Sequence, residues 1–189
     1  MGLLHKIQYN SPVILTFAIA SFAALLLGYL TNGASTTLLF CTYRSSLLDP
    51  LMYLRLFGHV LGHANLEHYT NNMILILLVG PMLEEKYGSK VILTMICMTA
   101  LITGVVNSLF FTTGLLGASG IAFMMIILAS MASAKEGRIP LTLILAIVVY
   151  LGQEVVNGLF TKDNVSQLTH IIGGVCGGVF GMTMVGRSE

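Results

Sequence analysis

The sequence predicts an all-α, polytopic membrane protein built as a bundle of six transmembrane helices. Three observations carry this. Apolar residues make up 56% of the chain and charged residues only 9%, against roughly one quarter charged in soluble domains. The stretch Val91–Ser133 contains no charged residue and is too long for one crossing, since about 20 residues span a bilayer. Lipid offers no partner to an open backbone, so helices are the expected solution. At 189 residues one membrane domain over 1–189 is the expectation. The formal net charge of +1 supplies no basic field for nucleic acid.

The first span is expected at Pro12–Leu30. A cleaved signal peptide is the weaker reading, because that run exceeds the usual apolar region of about 7–15 residues. The myristoylation pattern fails at Lys6. The second span is expected over His68–Leu83, after Glu67. The third and fourth divide the long apolar stretch near Thr112–Gly117, where Thr112-Thr113-Gly114 and Gly117 supply turn chemistry. The fifth is expected at Ile139–Phe160 and the sixth at Gln167–Val185. Cys41, Cys97 and Cys176 lack metal-ligand spacing and read as small buried hydrophobes.

Orientation follows lysine and arginine. With the N-terminus inside, six of them (Lys6, Lys86, Lys90, Lys135, Arg138 and Arg187) fall inside and three (Arg44, Arg55 and Lys162) outside. Both termini are therefore expected in the cytoplasm. The first outer loop, Thr31–Glu67, is long for a structureless connection. Its Leu47, Leu48, Leu51, Met52, Tyr53, Leu54, Leu56 and Phe57 are too apolar for a solvated linker. Short interfacial helices are expected there.

Polar groups within spans are costly and mark function by default. His68 and Asn72 are one turn apart on one helix face, Ser119 opens the fourth span and His170 lies near the start of the sixth. In a six-span, N-in chain these three helices all enter from the outer face, which can bring their polar residues to one depth. After His170 come Gly173, Gly174, Gly177, Gly178 and Gly181; Gly-x-x-x-Gly spacing lets helix backbones approach closely. If the partner is the fourth helix, through Gly120, His170 is brought against Ser119.

Those residues suit acyl transfer. Serine becomes an effective nucleophile when an adjacent base takes its proton, and histidine is the usual base. The developing oxyanion needs preorganised donors; the Asn72 amide, a His68 ring N–H and the Ser119 backbone N–H are the candidates. A dyad is favoured over a triad, because Asp49 and Asp163, the only aspartates, lie outside the spans; Asp163 remains a fallback orienting group for His170.

Other readings stand beside this one. Taken alone, Gly117-Ala118-Ser119-Gly120 is more often packing than catalysis, since small residues are ordinary at helix contacts in membranes. His59, His63 and His68 are conceivable metal ligands, but the chain lacks H-E-x-x-H. His63 is better read as a hydrogen-bond partner holding the outer loop, Asn107 as a bond between helices, and Glu154 as an interfacial or salt-bridged group.

The set Gly117-Ala118-Ser119-Gly120, His68 with Asn72, and His170 followed by Gly173 and Gly177 resembles the rhomboid intramembrane serine proteases of the bacterial six-helix type. Arg55 matches the arginine of the family's Trp-Arg motif, and Glu84 with Gly88 resembles its Glu-x-x-x-Gly. The resemblance implies cleavage of a client's transmembrane segment near the outer face of a bacterial cytoplasmic membrane, with neither metal nor cofactor. It implies Ser119 as nucleophile, His170 as general base, and an oxyanion hole of His68, Asn72 and Ser119 N–H. His63 would match an additional loop-side histidine, and the fifth helix with its following loop the substrate gate and cap. Gly117 is expected to let the loop approach the substrate backbone. Two residues depart from the family: Leu54 stands in place of the tryptophan, and Phe123 where many relatives have a tyrosine, though a phenyl ring still stacks on His170. The rivals are a catalytically silent rhomboid-like protein that binds transmembrane clients, and a small-solute transporter, against which the missing internal repeat argues.

Overall fold

The computed structural model describes residues 9–132 and 164–185, with 141–142, 144–145 and 148–149 between them. Seven helices are defined among the described residues: α1 (Pro12–Leu30), α2 (Ala34–Leu39), α3 (Pro50–Gly58), α4 (Leu66–Tyr87), α5 (Ser89–Phe110), α6 (Ser119–Ala132) and α7 (Asn164–Val185). No strand occurs among them; the single bridge pairs Thr42 with Leu115. The first expected span matches α1 to the residue. The division of the long apolar stretch falls at 111–118, where α5 gives way to α6. The fifth expected span, Ile139–Phe160, lies almost wholly outside the described residues, as does Glu154.

The second span is longer than expected. The expected span stops at Leu83, before Glu84, Glu85 and Lys86, whereas α4 runs on to Tyr87. The reason is that Glu84 is not exposed at all: it is 3% accessible and closes the start of α1. Its two carboxylate oxygens accept from Val13 N and Ile14 N, each at 3.0 Å, and one also accepts from Ser89 Oγ at 2.7 Å. The first N–H groups of a helix have no partner within it, and the helix dipole favours a negative charge there. Gly88, at φ +85°, then turns the chain directly into α5, with its N–H on Glu84 O at 2.8 Å.

The long loop after α1 contains α2 and α3, in keeping with the short helices expected there. Arg55 holds it together from inside at 1% exposure. Its guanidinium donates to Asp49, Ser45 Oγ and Leu38 O and lies 4.5 Å from the centre of the Tyr43 ring. Asp49 also caps α3, accepting from Leu51 N at 3.0 Å, so one carboxylate both starts the helix and pairs its arginine. Leu54 is half-exposed, and the aromatic partner of Arg55 is Tyr43 instead.

Ile14, Ile76, Ile92, Met95, Ile121, Met124, Met125 and Leu128 form the centre of the bundle. Large apolar side chains also cover its outside: Ile19, Leu30, Leu78, Met82, Val175 and Met182 are all exposed. Apolar surface of that extent suits lipid and not water. Among the described residues α1 and α5 are each long and apolar enough to cross a membrane; α6 and Leu168–Met184 are shorter apolar helices. Inside a bilayer, apolar contact brings little hydrophobic gain, so close backbone approach and polar ties hold the helices. Gly80 shows this: a Cβ there would stand 2.7 Å from Ile14 Cδ1, so α1 lies directly on α4.

Replacing Glu84 by alanine leaves the α1 amides without their acceptor. A loss of roughly 2 kcal/mol is expected from such an orphaned buried set, read as a lower thermal midpoint of the purified protein in detergent, with Glu84→Gln intermediate.

Candidate functional site

The site is assembled at the end of the bundle that carries the long loop. α4 starts there because Asn65 caps it, its side-chain oxygen accepting from His68 N at 2.8 Å. Tyr29 at the end of α1 also accepts from Leu66 N at 3.0 Å. The first turn is thus tied at two points, and His68 is fixed with it. Asn72 follows one turn later, buried, and donates to His68 O at 3.1 Å.

His68 and Asn72 converge on Gly117. That residue has φ +125°, a left-handed conformation natural to glycine. A Cβ there would meet His68 Cε1 and Nε2 at 2.8 Å and lie 4.0 Å from Asn72 Nδ2. Gly117 is therefore required by the His68 ring as well as by the turn. Ala118 is fully buried, and Ser119, half-buried, opens α6.

α7 brings in His170. Among the described elements the contact between α6 and α7 is the most extensive, and glycine permits it. A Cβ on Gly173 would overlap the carbonyl of Gly120, and one on Gly177 the carbonyl of Met124. A Cβ on Gly120 would stand 3.0 Å from Thr169 Cγ2. Ser119 and His170 are the chain neighbours of Gly120 and Thr169, so both lie on the stretch where α6 and α7 meet. Phe123, one turn into α6, lies edge-on to the His170 ring with centroids 6.3 Å apart and an angle of 66°. The phenyl ring expected to stack on His170 thus meets it edge-on instead.

The loop carrying Gly117 is clamped by the long loop after α1. Thr42 and Leu115 exchange backbone bonds at 2.9 and 2.8 Å, and Gly117 N donates to His59 O at 2.9 Å. Asn107 was expected to bond between helices; it donates instead to the carbonyls of Thr42 and Thr113, each at 3.2 Å. Its place at the end of α5 puts the amide beside two loop backbones. Thr42 Oγ1 meets Ser108 Oγ at 3.2 Å. None of this was visible in the sequence, where Thr42 carries no distinguishing pattern.

His63 also differs from expectation. Its Nδ1 bonds to Leu61 O at 3.1 Å, within its own turn. Its ring packs edge-on to His68, with centroids 5.1 Å apart, and against Tyr69 at 5.5 Å. The histidine that ties the loop to the bundle is His59, whose Nδ1 faces Arg55 O and whose Nε2 faces Thr103 Oγ1, both at 3.2 Å. No group of three or more metal-ligating side chains occurs among the described residues.

The Rhomboid domain family profile matches residues 50–187, and no curated protein matches the chain. The match covers well over half of the sequence and includes every residue of the site. The chain belongs to the rhomboid family and is an integral membrane protein. Members of that family act in the bilayer on membrane-protein substrates and are generally serine proteases.

Burial pushes the His59 imidazole down to about 4. Burial, reinforced by the nearby His68 ring, does the same to His63. Both rings are held neutral in the fold, whereas in the unfolded chain they take up protons below about 6.5. Their contribution to stability is therefore complete above pH 6.5 and is lost as pH falls toward 4. Thermal midpoints in detergent are expected to drop across that window, and a His59→Asn, His63→Asn variant, though less stable at pH 7, to show a shallower drop.

Proposed function

We propose that the protein is an intramembrane serine endopeptidase that cleaves the transmembrane segment of a membrane-protein substrate by a Ser119–His170 dyad. The observation that supports it best is the close contact of Gly120 with Gly173 and Thr169, which brings the start of α6 against the stretch of α7 that carries His170. In this reading Ser119 Oγ attacks the scissile carbonyl as His170 takes its proton. The oxyanion of the tetrahedral intermediate is received by a His68 ring N–H, the Asn72 amide and the Ser119 backbone N–H. The N-terminal end of the α6 dipole adds to that stabilisation. His170 then returns the proton to the leaving amine, and water hydrolyses the acyl-enzyme by the same route in reverse. Gly117 leaves room both for the His68 ring and for a substrate backbone.

The same reading extends to topology. Among the described residues, α1, α4, α5, α6 and α7 occupy five of the six stretches proposed to cross the membrane, and the site lies at the end bearing the long loop. With the lysine and arginine distribution placing both termini in the cytoplasm, the site opens to the outer face. The chain acts as one membrane domain and needs neither metal nor cofactor, since a serine–histidine pair supplies both nucleophile and base.

The test is turnover of a fluorescent single-span substrate by purified protein in detergent. Ser119→Ala and His170→Ala are each expected to lower the rate at least about a hundredfold, with no effect of a chelator. Equal turnover in either variant would overturn the dyad. A wild type that binds the substrate without cutting it would instead support a catalytically silent client-binding member.

A further inference from the structure

Gly174 has a neighbour that the dyad does not explain. It lies one turn after His170 on α7, so both present to the same side of the helix. A Cβ on Gly174 would stand 2.7 Å from Phe123 Cε1, 3.2 Å from Cδ1 and 3.5 Å from Cζ. The Phe123 ring, 4% exposed, thus rests in the notch that the missing side chain leaves. The same ring meets His170 edge-on. It straddles two successive turns of α7, with its flank on Gly174 and its edge relation to the imidazole.

We propose that Gly174 is a positioning residue for His170, acting through the Phe123 ring. An added methyl at 174 has to displace Cε1, because Cβ contacts below 3.0 Å are not tolerated in packed interiors. The ring is buried and shared between the two turns, so it does not move without changing its contact with the imidazole. A phenyl ring has no hydroxyl with which to anchor itself by a hydrogen bond, so its pose depends on shape. Glycine at 174 is also distinct from Gly173 and Gly177, whose missing side chains admit the α6 backbone. Gly174 admits a side chain, and its role is therefore separable from helix packing.

The inference about geometry stands on its own; its catalytic consequence rests on His170 being the base. Two readouts keep these apart. The first is the imidazole C–H resonance of His170 by NMR of histidine-labelled protein in detergent, which senses the ring current of Phe123. Gly174→Ala is expected to move that resonance while leaving those of His59 and His63 in place. Phe123→Leu is expected to move it as well, and Gly174→Ala on top of Phe123→Leu to add nothing. An unmoved resonance in Gly174→Ala, or an equal further shift in the double variant, would overturn the inference. The second readout is steady-state cleavage. Gly174→Ala is expected to lower kcat about tenfold with KM nearly unchanged, as misplacement of a reacting group does. In the Phe123→Leu background the same substitution should leave kcat unaltered. A moved resonance with unchanged kcat would overturn the positioning role, whereas an inactive wild type would count against the dyad and leave the NMR result to decide the geometry.

Discussion

The structure depends on one close approach, that of α6 to α7. Two helices carrying ordinary side chains pack about 8–10 Å apart. Here Gly173 and Gly177 present no side chain to the carbonyls of Gly120 and Met124, and the backbones close on each other. In lipid that closeness is itself the source of affinity, because the surrounding acyl chains are as apolar as the side chains. The packing of α6 on α7 is thus set by the missing side chains.

The remaining elements fix the frame around that contact. Glu84 binds the start of α1 to the α4–α5 turn, a buried carboxylate with three donors. At the opposite end of α4, Asn65 and Tyr29 set its first turn and with it His68. The loop before α6 is held between Thr42 and His59, so the glycine that accommodates His68 is fixed by backbone bonds. Each tie uses a group that would be costly to leave unpaired in a medium without water.

Much of this was legible in the sequence, for physical reasons. Pro12–Leu30 was read to the residue because a span in lipid is bounded by a proline at its first turn and by polar Thr31 and Asn32. The division of the 91–133 stretch followed from glycine and threonine chemistry, and the α6–α7 contact from Gly-x-x-x-Gly spacing. What escaped were interactions between groups distant in sequence. Glu84 was singled out only by its spacing to Gly88, since nothing local shows that an α1 terminus seventy residues away needs a carboxylate. Asn107 and Thr42 bond to backbone, which leaves no residue-type pattern to find. His59 and His63 are alike in sequence, and only their surroundings make one a loop tie and the other a ring contact for His68.

The central claim is that His170 activates Ser119, and its most direct test needs no substrate. The purified protein is treated with a small fluorophosphonate that forms a covalent bond with an activated serine, and the labelled peptide is identified by mass. The account predicts a single adduct on Ser119 in the wild type and loss of labelling in His170→Ala, although its serine is intact. Labelling of Ser119 at the same rate in His170→Ala, or an adduct elsewhere with Ser119 untouched, would contradict it.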